Sequence, residues 1–387
     1  MARFDDCMVC GSTNFEAMKS SNWVITGIGE IPVQFGTCRD CGHIFQNPLP
    51  ALETIDAFYT EFSNYLKPDP NWVPPEMPET PTSRRLIELA NHYRAEKGSV
   101  YEIGCGSGMH LYYFQKDGWN VQGCEPSPDA GTQAGNLLNT KIDIGFASDC
   151  LTGSPKYDVV TLSHVLEHVP DPRALLELAR EQIADDGVFI LEVPCARQPS
   201  RLCIGWLALE HLSYFSEPVL TRLLEETGFE VLQIVIDDLN PKYPTITVAA
   251  RPCTNAGEYN KPYHNAFPVN RDMLAKHIRI DTQHWDRVNQ RFSHVEHAYI
   301  WAAGVHTAQL FSETSILSSV NIKALVDSSP LKTGKKQGPF DILSKEQFLT
   351  AYKGEHVIIS SYASEKAIAE ALKKEGIEDD KIVRLYT

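Results

Sequence analysis

Two spacings of apolar residues organise this chain. Between residues 83 and 252, short apolar runs alternate with segments whose apolar positions recur every three or four residues. The runs at 100–104, 119–124, 142–146, 157–162 and 188–193 read as strands, and 83–97 and 171–184 read as helices. Such alternation predicts an α/β fold with a mostly parallel, doubly wound sheet. After a helix at 217–227 that stops at Gly228, the runs 229–236 and 245–251 are joined by the turn Asp238-Leu239-Asn240-Pro241. That short link predicts an antiparallel hairpin at one edge.

A second α/β unit follows. Leu274, Ile278, Trp285, Val288, Phe292 and Val295 fall on a 4/3 spacing that Asp281 interrupts once, which predicts a long amphipathic helix. Its expected use is packing between domains, with a dimer seam second. A strand at 299–303, a turn at Gly304, a helix at 309–319 and a strand at 323–327 then repeat a β-turn-α-β-acid arrangement. Strands at 357–360 and 381–385 flank a helix at 364–375. The unit reads as a Rossmann-like α/β domain in which Ala303-Gly304 is all that remains of a glycine run, a possible platform for a nucleotide.

The N-terminus follows neither spacing. Cys7-Met8-Val9-Cys10-Gly11 and Cys38-Arg39-Asp40-Cys41-Gly42 are two C-x-x-C turns, separated by strand-like segments as in a zinc ribbon. Four thiolates from two such turns suit a tetrahedral ion, and a site with four protein ligands has no open position, so the expected zinc is structural. His43 is expected as a surface neighbour. Prolines at 68, 70, 74, 75, 78 and 81 break up the segment that follows, which also carries Tyr59, Tyr65 and other aromatic residues. It reads as a connector packed on the next domain or as a lid whose Tyr59 or Tyr65 reaches substrate. The expected division is therefore 1–50, 51–82, 83–252 and 253–387.

At 387 residues the chain is long enough for two or three cores. A formal net charge of −15 disfavours a nucleic-acid partner, whose phosphates need Lys and Arg. No apolar run reaches membrane-spanning length, and MARFDDC lacks the apolar core of a signal peptide. A cytoplasmic protein, monomer or homodimer, with six further reduced cysteines is expected.

The run Val100-Tyr101-Glu102-Ile103-Gly104-Cys105-Gly106-Ser107-Gly108 ends a strand in G-x-G-x-G, and Glu125 closes the next strand 17 residues beyond Gly108. Glycines at such a turn admit a ligand close to the backbone at a helix start, and the acid is placed for a ribose diol. This resembles the adenosylmethionine site of class I methyltransferases. The resemblance implies S-adenosyl-L-methionine as cofactor, held by Glu102, Gly104, Gly106, Gly108, Glu125, Phe146, Ala147 and Ser163.

Two histidine motifs remain, Ser163-His164-Val165-Leu166-Glu167-His168 and Leu209-Glu210-His211-Leu212-Ser213-Tyr214-Phe215-Ser216. Histidine is the natural base near neutral pH. Taken with the four-cysteine module and the C-terminal unit, they make the chain resemble the sugar C-methyltransferases. That likeness implies His211 as catalytic base, Glu210 as its acidic neighbour and His168 as a second active-site histidine. The implied substrate is a nucleotide-linked 4-keto-6-deoxy sugar, methylated through an enolate. The family's tyrosine two residues before the Glu is Ala208 here, so O-methylation of a sugar hydroxyl competes with C-methylation, and RNA methylation is a third, less favoured reading.

Overall fold

The computed structural model describes residues 6–57, 79–151, 153, 155–202, 204–238, 243–253, 265–362 and 364–387. Tyr59 and Tyr65 lie outside these. Among the described residues no helix is long and apolar enough to cross a membrane. The described residues form an α/β protein with three sheets.

The N-terminal sheet is antiparallel and is formed by β1 (Phe15–Ile25), β2 (Gly29–Cys38) and β3 (Ile44–Gln46). A fourth strand, Ser213–Tyr214, joins it from far along the chain by pairing with β3. That strand begins two residues after His211, so the four-cysteine module is hydrogen-bonded to the segment carrying one of the two histidine motifs.

The central sheet contains β4 (Ser99–Ile103), β5 (Asn120–Glu125), β6 (Asp143–Ile144), β7 (Tyr157–Ser163) and β8 (Ile183–Pro194). With Ser213–Tyr214 as β9, the hairpin strands are β10 (Phe229–Asp237) and β11 (Thr245–Pro252). The order is β10-β11-β8-β7-β4-β5-β6, with β11 antiparallel to both neighbours and the rest parallel. Val100, Ile103, Val159, Val160, Leu162, Ile190 and Leu191 are buried, as strands covered on both faces require. Strand order reverses between β4 and β7, the point at which open α/β sheets hold ligands beyond the carboxyl ends of their strands. The third strand is shorter than 142–146. Gly145 turns away at φ 153°, and Phe146 becomes the N-cap of the short helix Ala147–Cys150.

The C-terminal sheet contains β12 (His297–Trp301), β13 (Asn321–Val326), β14 (Lys336–Gln337), β15 (Phe340–Leu343), β16 (His356–Ile359) and β17 (Ile382–Arg384). Its order is β14-β15-β13-β12-β16-β17, parallel except for β14. β12 stops at Trp301 because Ala302 turns to φ 89°. The helix expected at 309–319 is two helices, Val305–Glu313 and Ile316–Ser319, and the earlier start places a helix N-terminus directly after Gly304.

The long helix runs Phe267–Gln290. Asp281, which interrupts its apolar spacing, is 2% exposed. It pairs with Lys19 of β1 at 3.3 Å and accepts the Gly205 N–H at 3.3 Å. The interruption is thus a buried junction between modules. Asn270 of the same helix donates to Gly42 O at 2.7 Å and to Ser216 Oγ at 2.8 Å. Gly42 tolerates no side chain, since a Cβ would fall 2.5 Å from the Ala266 carbonyl carbon.

Candidate active site

The glycine turn closes the carboxyl end of β4. Gly104, Gly106 and Gly108 have φ of 70°, 55° and 84°, a left-handed region costly for other residues. A Cβ on Gly104 would meet Val165 Cγ2 at 2.6 Å, and one on Gly108 would meet Ala134 Cβ at 2.9 Å. A Cβ on Gly106 would have no described atom within 4 Å, so this face of the turn borders open space. Glu125, 3% exposed, accepts the Gly106 N–H on Oε2 and the Ser127 N–H on Oε1, both at 2.9 Å. Burial raises its pKa, while those two N–H groups oppose the rise. Each carboxylate oxygen has two lone pairs, which leaves acceptor capacity for a diol.

Glu102 is 2% exposed, with Oε1 at 2.8 Å from His110 Nδ1 and Oε2 buried without a hydrogen-bond partner. His110 sits at the start of the helix Met109–Lys116. An orphaned carboxylate oxygen beside the glycine turn fits an ammonium such as that of adenosylmethionine. Phe146 is 59% exposed and therefore is not a core residue. Ala147 is half-buried, and Ser163 Oγ, at the end of β7, is buried without a hydrogen-bond partner. The residues present fit adenosylmethionine.

The histidine motifs meet. His168 and His211 lie with ring centroids 4.8 Å apart at 67°. His168 Nδ1 donates to the Glu210 backbone carbonyl at 2.8 Å, and the Leu212 N–H donates to Glu167 O at 2.8 Å. Burial, then His168, pushes the pKa of His211 down to about 3, partly opposed by Glu167, so its imidazole is neutral. Burial raises the pKa of the Glu210 carboxyl.

His164 differs. It adopts φ 54°, and its two ring nitrogens face Glu167 and Glu192, each at 3.4 Å. Burial would lower its pKa, but these carboxylates raise it to about 9. His164 is therefore a fixed cation and no base. Glu167 is held at about 2 against burial, first by His168 and then by His164.

The segment carrying Glu210 and His211 is held from both flanking modules. Gln46, at the end of β3 and fully buried, donates from Nε2 toward the carbonyls of Ala208, Leu209 and His211, each at 2.9 Å. Gln309, from the helix Val305–Glu313, donates to Leu207 O at 2.8 Å. At Ala208, where the resembled family has a tyrosine, the backbone N–H donates to the Tyr214 hydroxyl at 2.9 Å and the carbonyl accepts from it at 3.2 Å. Tyr214 lies close to His211 but spends its hydroxyl there.

The four cysteines converge as their spacing predicts. Their sulfurs lie within 4.8 Å of one another, with Cys7–Cys41 and Cys10–Cys38 both at 3.6 Å. Corners of a tetrahedron with metal–sulfur bonds of about 2.3 Å are about 3.8 Å apart. Cys7, Cys10, Cys38 and Cys41 therefore fit zinc. His43 is not at the surface. It is fully buried between Phe45 and Phe215, with Nδ1 3.6 Å from Cys7 Sγ, and so orients a ligand sulfur.

Residues 78–234 match the family described as Methyltransferase domain. The central module is thus similar to methyltransferase domains over that span. Over 291 residues the chain is 27% identical to the C-methyltransferase NovU of Streptomyces niveus, covering 70% of this chain and 65% of that protein. It is 31% identical over 108 residues to the Ubiquinone biosynthesis O-methyltransferase of Hydrogenovibrio crunogenus, covering 26% of this chain and 45% of that protein. The chain thus spans less than two thirds of either relative. An S-adenosylmethionine-dependent methyltransferase structure from Clostridium acetobutylicum aligns at 14% identity with a TM-score of 0.39, over 46% of this chain and 94% of that one.

Sequence reasoning overlooked His110, Gln46 and Gln309. His110 had a local signal, standing two residues after Gly108 at a helix start. The two glutamines had none, because their partners are backbone carbonyls far away in sequence.

Proposed function

We propose that the chain transfers a methyl group from S-adenosyl-L-methionine to a carbon of a small, nucleotide-linked 4-keto sugar, with His211 taking the proton. The observation that carries this reading is the half-buried, neutral imidazole of His211 next to His168, on a segment hydrogen-bonded to the turn that follows β7. Adenosylmethionine supplies an electrophilic methyl on a sulfonium. The protein's work is to orient the acceptor and manage one proton. As His211 becomes an imidazolium, the Glu167 carboxylate stabilises it, and His168, whose Nδ1 donates to the Glu210 carbonyl, keeps the two motifs together. Tyr59 and Tyr65, proposed as further contacts to substrate, lie outside the described residues.

The C-terminal module supports a nucleotide handle. Asp327, just beyond β13, accepts the Ala303 N–H and the Ser329 N–H at 2.9 Å and faces Lys332 Nζ at 3.2 Å. Lys332 Nζ also lies 3.9 Å from where a Cβ on Gly304 would stand, at the start of the helix Val305–Glu313. Ser360 Oγ, past β16, is buried without a hydrogen-bond partner. An ammonium, a helix start and a spare hydroxyl at the carboxyl ends of parallel strands suit a phosphate and its nucleoside.

One observation favours a second reading. The Tyr214 hydroxyl is committed to Ala208, so no phenol from this motif is available for an enolate, and O-methylation of a sugar hydroxyl needs none. Product analysis separates the two readings. Incubation with adenosylhomocysteine and a thymidine-linked 4-keto sugar in deuterated water should exchange the proton α to the ketone, and His211→Asn should abolish that exchange while adenosylmethionine still binds. Transfer to a hydroxyl without exchange supports the O-methyl reading.

A further inference from the structure

We propose that Glu167, His168 and His211 form a site for one divalent cation of the zinc class, separate from the four-cysteine site, and that its occupancy switches methyl transfer off. The inhibitory half rests on the role given above to His211; the binding half does not.

The three side chains offer one carboxylate and two imidazoles, a donor set that zinc, cobalt and nickel accept readily. Their ligand atoms lie within 4.8 Å of one another, and Glu167 Oε1 is 3.6 Å from His168 Nε2. Metal bonds of about 2.0–2.1 Å place tetrahedral neighbours about 3.3–3.4 Å apart, so occupancy requires only a modest contraction of the group.

Glu167 is the second, independent observation. It is 2% exposed, and both of its carboxylate oxygens are buried without a hydrogen-bond partner. A charge removed from water is costly unless paired and hydrogen-bonded, and the facing imidazoles stand at ion-pair distance without hydrogen-bond geometry. A cation inside the triangle supplies what the carboxylate lacks.

The orientation of His168 also suits a ligand. Its Nδ1–H donates to the Glu210 carbonyl at 2.8 Å, which in the neutral ring puts the lone pair on Nε2, the atom facing Glu167. This is the backbone-carbonyl support that metal-binding histidines commonly have. The backbones of the other two residues are pinned as well. Glu167 O accepts from Leu212 N, and His211 O accepts from Gln46 Nε2. Three protein ligands leave a fourth position for water. A cation held there ties up the imidazole that would receive the substrate's proton, so cation and catalysis exclude each other.

The test uses full-length protein carrying one zinc per chain in the four-cysteine site. Titration with cobalt(II) should add one further equivalent, with weak d–d bands and without thiolate charge-transfer absorption. Glu167→Gln and His211→Asn should each abolish that equivalent, with retained adenosylmethionine affinity showing that the variants fold. Zinc should then inhibit methyl transfer in proportion to occupancy, and a mild chelator that leaves the four-cysteine zinc in place should restore it. The binding site is overturned if uptake stops at one metal per chain, or if the second equivalent survives in both variants. The inhibitory half is overturned if the site fills and transfer is undiminished. If cobalt binds as expected but no nucleotide sugar is ever methylated, the metal site stands and the proposed function falls.

Discussion

Glu125 and Asp327 perform the same structural task in two different sheets. Each ends or follows the second strand of its module and accepts a backbone N–H from the turn after the first strand, Gly106 for one and Ala303 for the other, at 2.9 Å. Each also accepts the N–H of the serine two residues on, Ser127 or Ser329, again at 2.9 Å. What differs is the charge nearby. Asp327 shares an oxygen with Lys332 at 3.2 Å, whereas the described neighbours of Glu125 are N–H groups and another acid, Glu102. The first arrangement leaves acceptors for a diol; the second presents a cation.

That difference predicts a double dissociation. Glu125→Ala should weaken adenosylmethionine binding by about ten- to a hundredfold, the equivalent of a charged hydrogen bond of roughly 1.5–3 kcal/mol. Asp327→Ala should leave that affinity unchanged and weaken binding of a nucleotide sugar. Calorimetry with each ligand on each variant checks both. Cofactor affinity unmoved by Glu125→Ala would remove the basis for the crevice.

Gln46 bears on the proposed chemistry from outside the methyltransferase domain, because its side-chain amide donates toward three carbonyls around Glu210 and His211. Gln46→Leu keeps the approximate volume and removes the donors. We expect kcat to fall about tenfold, corresponding to roughly 1.4 kcal/mol of lost positioning. Cofactor affinity should not change, since Gln46 makes no contact with the glycine turn. Steady-state kinetics beside adenosylmethionine calorimetry distinguish this from general destabilisation.

Stripping the four-cysteine site should have a wider effect. A small module of this kind draws folding energy on the order of 10 kcal/mol from its ion. Its strand β3 pairs with Ser213–Tyr214, so losing the ion should also release the segment around His211. Cys38→Ser is expected to render the N-terminal module protease-sensitive and abolish methyl transfer, with cofactor binding largely kept. Limited proteolysis and calorimetry on the same preparation report the two outcomes. An intact module in Cys38→Ser would argue that its strands suffice without the ion.

The legible parts of this molecule were those written in local periodicity. β4, β7 and β8 are apolar runs buried on both faces, and the cysteine turns are local geometry. The glycine turn and Glu125 were legible for the same reason, since a strand-turn-helix step places them. Asp281 was legible only as a defect in a helical stripe, because its partners Lys19 and Gly205 lie far off in sequence. His43 was misjudged because its burial depends on Phe215, more than 170 positions away. Glu167 stood in view between two histidines, but nothing local said that its carboxylate would be buried without a hydrogen-bond partner.

The buried ion pair between Arg85 and Glu192 sets the acid stability of the cofactor domain. Glu192 is fully buried. Burial works to raise its pKa, but His164, Arg85 and the Thr247 hydroxyl hold it down at about 2. Arg85 binds it at 2.7 Å and also reaches Asp237 at 3.0 Å, joining the helix Pro81–Tyr93 to β8 and β10. An unfolded Glu titrates near about 4.3, so the folded state gains on the order of 3 kcal/mol from this group above that pH. The gain is lost as pH falls through about 4 towards 2, because the unfolded chain then binds a proton that the folded one resists. Arg85→Met should therefore destabilise the protein by about 3 kcal/mol at pH 7, the cost of stranding a buried carboxylate. The deficit should shrink steadily below pH 4, because Glu192 of the folded variant, without Arg85, takes up the proton that the wild type resists. Urea unfolding of the two proteins at pH 7, 5 and 3 measures it, and a deficit that stays constant across that range would show that Arg85 contributes through packing alone.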